Sequence, residues 1–246
     1  MHRLDVLKKS FSLPFLQFQA LTVMEVTDSG NIAQVVDVDT TSLEGLQRAK
    51  KLRLVESGLA NIVASPFLVE AAELFRGKMM WGRVFAVLRH PVHTAIAHYN
   101  MLRETLPPRP QGTQLSLFEY AHSPYLSDNP MVKSLANVID GVVSEDHVKM
   151  AKSILERFVV VGLWDHLEES MERFNNHFHW TPPESYKICQ ESFLSVQEYH
   201  GGNVSIEEGS DEYNTLADRN WADMMLWEEI QRIWERQGQR LKGDTK

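Results

Sequence analysis

The chain has 246 residues, 43% of them hydrophobic and 24% charged, a composition that fits a globular protein with a substantial core and excludes a disordered tail. Lys and Arg number 25 against 33 Asp and Glu, and the resulting net charge of -8 argues against a nucleic-acid-binding protein. Cys189 is the single cysteine, so we expect neither an intramolecular disulfide nor a metal site built from several cysteines.

The sequence predicts neither a membrane-spanning helix nor a secretory leader. No apolar run approaches the length that a bilayer requires. Residues 1–30 carry charged side chains and lack an apolar segment that ends in a small-residue cleavage site. We therefore expect a protein without a membrane span, and the sequence leaves its compartment open.

The first readable part of the chain predicts strands that alternate with helices. Residues 34–39 form a short β-branched run, which predicts a strand, and residues 40–42 are suited to cap the helix that follows. A second strand is predicted over residues 61–64. Pro66 then favours the first turn of another helix, because proline at that position removes an N–H that would have no partner.

The clearest junction between a strand and a helix follows. Residues 83–89 are a nearly continuous apolar run between two arginines, as expected of a strand that is buried on both faces. Pro91 opens the next helix, which we expect to continue to about Glu104. The proline-rich residues 107–110 cannot continue a helix and mark a break.

The sequence predicts that the C-terminal part of the chain is mainly helical. Helices are expected to begin near Leu115, Pro130 and Ser144, and a fourth apolar strand is expected over residues 158–162. A long amphipathic helix is predicted from about residue 211 to residue 241. We expect this last helix to pack on the outside of the sheet.

These elements predict one α/β domain over residues 31–246, preceded by a poorly specified lead at residues 1–30. Strands that alternate with helices favour a mostly parallel sheet with helices on both faces, which makes a three-layer architecture. Ligands bind such sheets at the carboxyl ends of the strands. Four such ends are predicted, at residues 37–41, 64–66, 89–94 and 162–165.

Arg89 is the first candidate for a site at these strand ends. It combines a fixed cation with a helix start at Pro91, and the N-terminus of a helix favours anions such as phosphate or sulfate. The alternative is that Arg89 pairs with a neighbouring carboxylate and has a structural role only.

Four segments carry a likeness to a known family, and the shortest of them is the pair His179-Trp180, which is similar to a Gly-Trp pair of that family. Residues 83–99 match a strand ending in Arg-x-Pro that continues as a helix with a tyrosine, through Arg89, Pro91 and Tyr99. Residues 158–174 resemble a strand-Gly-Leu segment followed by Glu-Ser, and residues 220–227 resemble an Asn-x-x-Asp-x-x-Leu-aromatic helix. Together these segments resemble the PAPS-dependent sulfotransferases of the carbohydrate type, and especially the sulfotransferase-like proteins of microalgae.

The resemblance implies a P-loop NTPase-like three-layer fold, here without its first strand-loop-helix unit. It implies PAPS (3′-phosphoadenosine 5′-phosphosulfate) as the sulfuryl donor, a carbohydrate or similar hydroxyl compound as the acceptor, and no metal. Arg89 and Thr94 are then the positions that bind the 3′-phosphate of the nucleotide. The family also includes proteins of the Golgi lumen.

The chain departs from the family pattern around this phosphate. Ala97 stands where the family has a serine, Thr94 where it has a second arginine, and His90 where it has an aspartate. No 5′-phosphosulfate loop is found in residues 1–33. Two functions therefore stay open: an active sulfotransferase, or an inactive or truncated relative that acts as a binding protein.

A sulfuryl transfer also needs a base that accepts the proton of the acceptor hydroxyl. His93, His98 and Asp39 are the candidates, and each of them is also explained as a solvated or structural side chain. Asn220 and Asp223 lie on the apolar stripe of the last helix, so we expect them to find hydrogen-bond partners inside the fold.

Overall fold

A computed structural model describes most of the chain and contains two separate strand pairs among many helices. The chain divides into two compact units, Met1–Gly82 and Arg83–Lys246. The mixed α/β class is confirmed, whereas the described strands form a two-stranded antiparallel sheet and a two-stranded parallel sheet. The residues that the structure describes are 20–28, 31–60, 62–76, 83–105, 115–138, 141–180 and 206–243.

Within its described residues, the first unit contains one antiparallel strand pair and two helices. Strand β1 (Val23–Asp28) pairs antiparallel with β2 (Asn31–Val36), and helices α1 (Leu43–Lys51) and α2 (Leu68–Glu73) follow. The strand expected over residues 34–39 therefore begins earlier and ends at Val36. Its expected place in a parallel sheet is wrong, because its partner is the preceding strand β1 rather than a later strand.

The start of α1 is confirmed, and the strand predicted at residues 61–64 is wrong. Ser42 caps α1 by accepting a hydrogen bond from the Gly45 N–H at 3.2 Å. Residues 62–64 have no regular structure, and Asn61 lies outside the described residues. The carbonyl of Ala64 accepts a hydrogen bond from the Thr40 hydroxyl at 2.7 Å, so a side chain takes the place of a strand neighbour there.

The core of the first unit lies between its helices and the loop after α1. An ion pair of 2.8 Å joins Asp37, directly after β2, to Arg48 of α1, and Asp37 also accepts a hydrogen bond from the Thr22 N–H at 2.8 Å. Asp37 thus has a structural role at a strand end. The buried residues of this core are Leu46, Ala49, Leu54, Val55, Ala71 and Leu74.

The second unit is built on a parallel strand pair surrounded by helices. Three helix starts and the fourth strand predicted from the sequence are confirmed within a few residues. Within the described ranges, no helix is both long enough and apolar enough to cross a membrane. The elements that lie in its described residues are β3 (Val84–Leu88), α3 (Pro91–Thr105), α4 (Leu117–Ala121), α5 (Pro130–Leu135), α6 (Glu145–Phe158), β4 (Val159–Leu163), a 3₁₀ turn (Trp164–His166), α7 (Leu167–Phe178), α8 (Asp211–Arg219) and α9 (Trp221–Gly243).

Strand β4 pairs with β3 along one edge, with Val84 opposite Val159. Side chains satisfy its other edge. Gln237 of α9 accepts a hydrogen bond from the Val161 N–H and donates one to the Val159 carbonyl, both at 2.9 Å. The Ser170 hydroxyl accepts from the Leu163 N–H at 2.9 Å. A further strand therefore cannot pair with these groups of β4, because their backbone hydrogen bonds are already made.

The long C-terminal helix predicted over residues 211–241 is in fact two helices that are interrupted at Asn220. The Asn129 side chain, next to the start of α5, accepts hydrogen bonds from the N–H groups of Ala222 and Asp223 at 2.8 and 3.2 Å. Asn220 accepts from the Asn129 N–H at 2.9 Å. Each residue satisfies N–H groups that a helix start leaves without partners, so two helix N-termini are capped reciprocally.

Asp223 completes this network and is almost fully buried, with 1% of its surface exposed. Its carboxylate accepts hydrogen bonds from the N–H groups of Met131 and Val132 at 2.9 and 2.7 Å. Burial raises the pKa of Asp223 to about 6, although these two hydrogen bonds oppose the shift. The expectation that Asn220 and Asp223 find partners inside the fold is confirmed.

The raised pKa of Asp223 predicts a pH-dependent stability. The folded state holds the proton more tightly than the unfolded state, because its pKa of about 6 exceeds the ordinary value of 3.8. The contribution of this carboxyl to the free energy of unfolding therefore falls as pH rises between these values. We expect wild type to lose roughly 3 kcal/mol relative to the Asp223→Asn variant across this range, as measured by urea denaturation at several pH values.

Asp128→Asn is the matched control for this measurement. Lys133, at 2.9 Å, holds the pKa of Asp128 below its usual value. Wild type should therefore gain stability relative to Asp128→Asn as pH rises, and should do so below the ordinary aspartate pKa. A difference between wild type and Asp223→Asn that is constant from about pH 4 to about pH 6 contradicts the buried titration.

Candidate functional site

The junction between β3 and α3 is formed as the sequence predicts. The apolar strand ends at Leu88, and Pro91 begins a helix of 15 residues. The His90 carbonyl accepts the first helical hydrogen bond, from the Thr94 N–H at 2.9 Å. The N–H groups of Val92 and His93 lie in the first turn, where a helix offers no carbonyl partner. The junction therefore has the donors and the dipole direction that favour an anion.

Parallel pairing brings the turn after β4 to the same end of the sheet. Leu88 lies opposite Leu163 at the ends of the two strands. The next residues are Arg89 after β3 and Trp164 after β4, and the Arg89 Cζ lies 5.5 Å from the centre of the Trp164 ring. This distance is within the range of a cation–π interaction, so Trp164 supports the guanidinium from one side.

Arg89 is partly buried and keeps unused hydrogen-bonding capacity. Its Nε atom is buried and has no hydrogen-bond partner. Among the described carboxylates, none lies within 4.0 Å of its guanidinium as an ion pair. Burial lowers the pKa of Arg89, and the attraction of Asp165 partly opposes this effect. The alternative role as one half of an ion pair finds no partner in the described part of the chain.

His90 lies in a cluster of aromatic rings next to this arginine. Its ring centre is 4.8 Å from that of His93, 5.6 Å from Trp227 and 6.3 Å from Tyr213. Its Nδ1 atom is buried and has no hydrogen-bond partner. Burial holds the pKa of His90 below its usual value, and His93 lowers it further.

The other positions that the family resemblance singles out are engaged in local hydrogen bonds or carry no polar group. The Thr94 hydroxyl donates to the His90 carbonyl at 3.1 Å, and the Tyr99 hydroxyl donates to the Leu115 carbonyl at 2.9 Å. Ala97 supplies no hydroxyl. Tyr99 is buried in the helical core, so its position is explained by packing.

The three candidate bases lie in different surroundings. His93 is exposed on α3, beside His90. His98 is half-buried, its Nδ1 lies 2.9 Å from the Tyr120 hydroxyl, and burial lowers its pKa. Asp39 belongs to the first unit, where the Thr41 hydroxyl donates to it at 2.6 Å and lowers its pKa. A lowered pKa makes Asp39 a weaker base.

The strand-Gly-Leu and Glu-Ser segment forms a close contact between β4 and α7. A Cβ atom at Gly162 would lie 2.6 Å from the Phe174 ring and 2.9 Å from the Ser170 Cβ. The Ser170 hydroxyl also donates to the His166 carbonyl at 2.8 Å, which holds the turn before α7. These residues position the end of β4, and hence Trp164, by packing.

Four residues around Arg89 and His90 were not predicted from the sequence. Trp164 and Asp165 lie in a predicted strand-end segment, and the rule that neighbouring parallel strands end at one edge could have pointed to them. Tyr213 and Trp227 come from helices distant in sequence. No local pattern identifies Tyr213, whereas Trp227 is the aromatic residue of the Asn-x-x-Asp-x-x-Leu-aromatic segment.

Searches of protein-family models, curated proteins and solved structures find no match to this chain. Among the described residues, no three His, Cys, Asp or Glu side chains are grouped as metal ligands would be.

The contact at Gly162 predicts a destabilised Gly162→Ala variant. The added methyl group must displace Phe174, which is fully buried and packs against Phe85 at 4.9 Å between ring centres. We expect a loss of about 1–3 kcal/mol in the free energy of unfolding, measured by thermal or urea denaturation. An unchanged stability would show that α7 moves away from β4 at no cost.

Proposed function

We propose that this chain is a sulfotransferase-like protein that binds the 3′-phosphate of PAPS at the junction of β3 and α3. The observation that carries the proposal is the Arg89 guanidinium, which lies at a helix N-terminus with a buried Nε that has no partner. An anion there would supply the missing hydrogen-bond acceptor and would offset the cost of a partly buried positive charge. The finer expectation of a three-layer sulfotransferase-like fold is part of the same proposal.

The proposed reaction transfers a sulfuryl group to a hydroxyl of a carbohydrate or a similar acceptor. The acceptor oxygen forms a bond to sulfur while the bond from sulfur to the bridging oxygen of PAPS breaks. The electron pair of that bond leaves with adenosine 3′,5′-bisphosphate. The hydroxyl proton passes to a base, for which His93 and His98, in the same unit as Arg89, are the candidates. Negative charge develops on the leaving phosphate, so cationic donors near it would favour the transition state.

A second candidate function is binding without catalysis. The observation that favours it is the small number of free polar groups around Arg89. Ala97 has no hydroxyl, and the hydroxyls of Thr94 and Tyr99 already donate to backbone carbonyls. The phosphate would then be held by one guanidinium and by the N–H groups of the helix start. Such a site suits an inactive relative that binds an anionic or carbohydrate partner.

Ligand-induced stabilisation tests the anion site. Adenosine 3′,5′-bisphosphate at about 100 times its dissociation constant should add about 2.7 kcal/mol to the stability and raise the melting temperature by roughly 5–10 °C. The Arg89→Ala variant should lose this shift. Arg83→Ala is the matched control and should keep it, because Arg83 lies at the other end of β3 and also stacks on an aromatic ring, that of Phe178 at 5.1 Å.

The outcome separates the two functions and can exclude both. A shift accompanied by transfer of labelled sulfate from PAPS to a glycan mixture supports the enzyme. A shift without transfer supports the binding protein. The anion site is wrong if millimolar ligand gives no shift, or if Arg89→Ala and Arg83→Ala respond equally.

Position 97 gives an independent test of the orientation of the nucleotide. In the resembled family a serine at this position contacts the same phosphate, and here the residue is Ala97 on α3. The Ala97→Ser variant should bind adenosine 3′,5′-bisphosphate about tenfold more tightly, because it gains one hydrogen bond to a charged group. The measurement is isothermal titration calorimetry. Unchanged affinity in a folded variant contradicts a family-like placement of the 3′-phosphate.

A further inference from the structure

Two consecutive residues at the proposed anion site have buried polar atoms without partners. Four such side-chain atoms occur in the described part of the chain, and two of them are the Arg89 Nε and the His90 Nδ1. Both side chains also interact electrostatically with the same carboxylate, that of Asp165. The guanidinium and the imidazole therefore lie within range of one common charge, and an anion beside one of them would act on the other.

The surroundings of His90 allow it to change its charge. Its ring is held among aromatic rings, and no carboxylate of the described residues forms an ion pair with it. Burial and His93 disfavour the charged form, whereas Asp165 and Glu208 favour it. The charged or titratable groups around His90 come from four places. Arg89 precedes it in the chain and His93 follows on the same helix, Asp165 lies in the turn after β4, and Glu208 and Tyr213 belong to the segment before α8 and to α8. Trp227 of α9 adds an uncharged ring.

The geometry points to His90 as a second, titratable cation of the anion site, which takes up a proton when an anion binds beside Arg89. This inference rests on the proposed function, since it concerns the same site. A neutral imidazole carries one N–H, whereas the protonated ring carries two N–H donors and a positive charge. The proton that the bound anion attracts would come from solvent. At pH values between the pKa of His90 in the free protein and its pKa in the complex, the site would therefore gain a cation when it is occupied.

The direction of the pH dependence follows from this coupling. In the free protein the pKa of His90 is lower than usual, so the ring is mostly neutral near neutral pH. A bound anion raises the pKa of His90. The affinity for the anion is therefore highest below the pKa of the free protein, falls as pH rises towards the pKa of the complex, and is constant above that value.

Sulfate is the probe that isolates this effect, because its own charge does not change in the range studied. We would titrate it by calorimetry from about pH 5.5 to about pH 8, which brackets the usual histidine pKa of about 6.5, at constant ionic strength. Affinity should fall with rising pH by up to about tenfold per pH unit. Repeating the titration in two buffers with different heats of ionisation should reveal proton uptake on binding.

Two variants assign the proton to one ring. His90→Gln removes the titratable group and should make the affinity independent of pH, with no proton uptake. His93→Gln is the matched control. It should keep the pH dependence and move the fall in affinity to higher pH, because it removes a group that lowers the pKa of His90. If His90→Gln does not fold, the proton uptake of the wild type and the shift in His93→Gln still decide the matter.

The outcomes separate this inference from the proposed function. Sulfate binding that is independent of pH and takes up no proton overturns the role of His90 and leaves the site at Arg89 intact. A pH dependence that survives in His90→Gln and disappears in His93→Gln overturns it as well. If the wild type binds neither sulfate nor adenosine 3′,5′-bisphosphate at any pH, the proposed function fails and the inference fails with it. If sulfate binds too weakly to be measured, adenosine 3′,5′-bisphosphate is titrated in its place. Its phosphate groups also titrate in this pH range, and the pH dependence measured with His90→Gln shows how much of the effect is due to the ligand itself.

Discussion

The parallel pairing of β3 with β4 is the constraint on which the candidate site depends. Parallel strands end at the same edge of a sheet, so the turns that follow them meet although they are far apart in the chain. Here the register places Leu88 opposite Leu163, and Arg89 and Trp164 follow directly. The close packing of α7 on Gly162 and the hydrogen bonds of Ser170 hold the end of β4 in place. The cation–π contact is thus a consequence of strand register.

The same strand pair shows how side chains close one edge of a small sheet. The Gln237 amide makes the two hydrogen bonds to β4 that a neighbouring strand would otherwise make. A glutamine side chain costs more rotamer entropy than a regular ladder, but it joins α9 to the sheet edge and prevents that edge from pairing with another chain. Growth of the sheet beyond β4 is therefore blocked by side chains of its own helices.

The sequence predicted the second unit better than the first, and the reason lies in the range of the signals. The apolar run before Arg89 and the proline at position 91 are local features, and the structure confirms the strand and the helix that they predict. Pairing is not local. A β-branched run at residues 34–39 fits an antiparallel hairpin as well as a parallel sheet, and only the preceding strand β1 decides between them.

Sequence periodicity predicts neither the interruption of the helix at Asn220 nor the surroundings of His90. The stripe of apolar residues continues through Asn220, so the pattern predicts one helix. The helix is interrupted because Asn129, at the start of α5, satisfies the N–H groups of Ala222 and Asp223. A contact between residues about ninety positions apart overrides the local preference, and the positions of Tyr213 and Trp227 beside His90 depend on contacts of the same kind.

A comparison inside the molecule explains why Arg89 is the residue to test. Arg173 is a buried arginine that also lies over a tryptophan, with its Cζ 3.6 Å from the centre of the Trp234 ring. It donates to the Trp234 carbonyl at 2.7 Å and pairs with Glu169 at 2.7 Å, so both its charge and its donors are satisfied. Arg173 is thus an example of a structural arginine whose partners are all within the protein.

Arg89 lacks these partners among the described residues and lies farther from its tryptophan, at 5.5 Å. A partly buried guanidinium without an ion pair lowers stability, although the attraction of Asp165 offsets part of this cost. A chain that needed only packing at this place would be more stable with an apolar side chain. The cost is explained if the missing partner is an anion that binds from solution. The neighbouring His90 would then adjust the charge of the site to the occupant, because a negative group offsets the desolvation that disfavours the charged form of a partly buried imidazole.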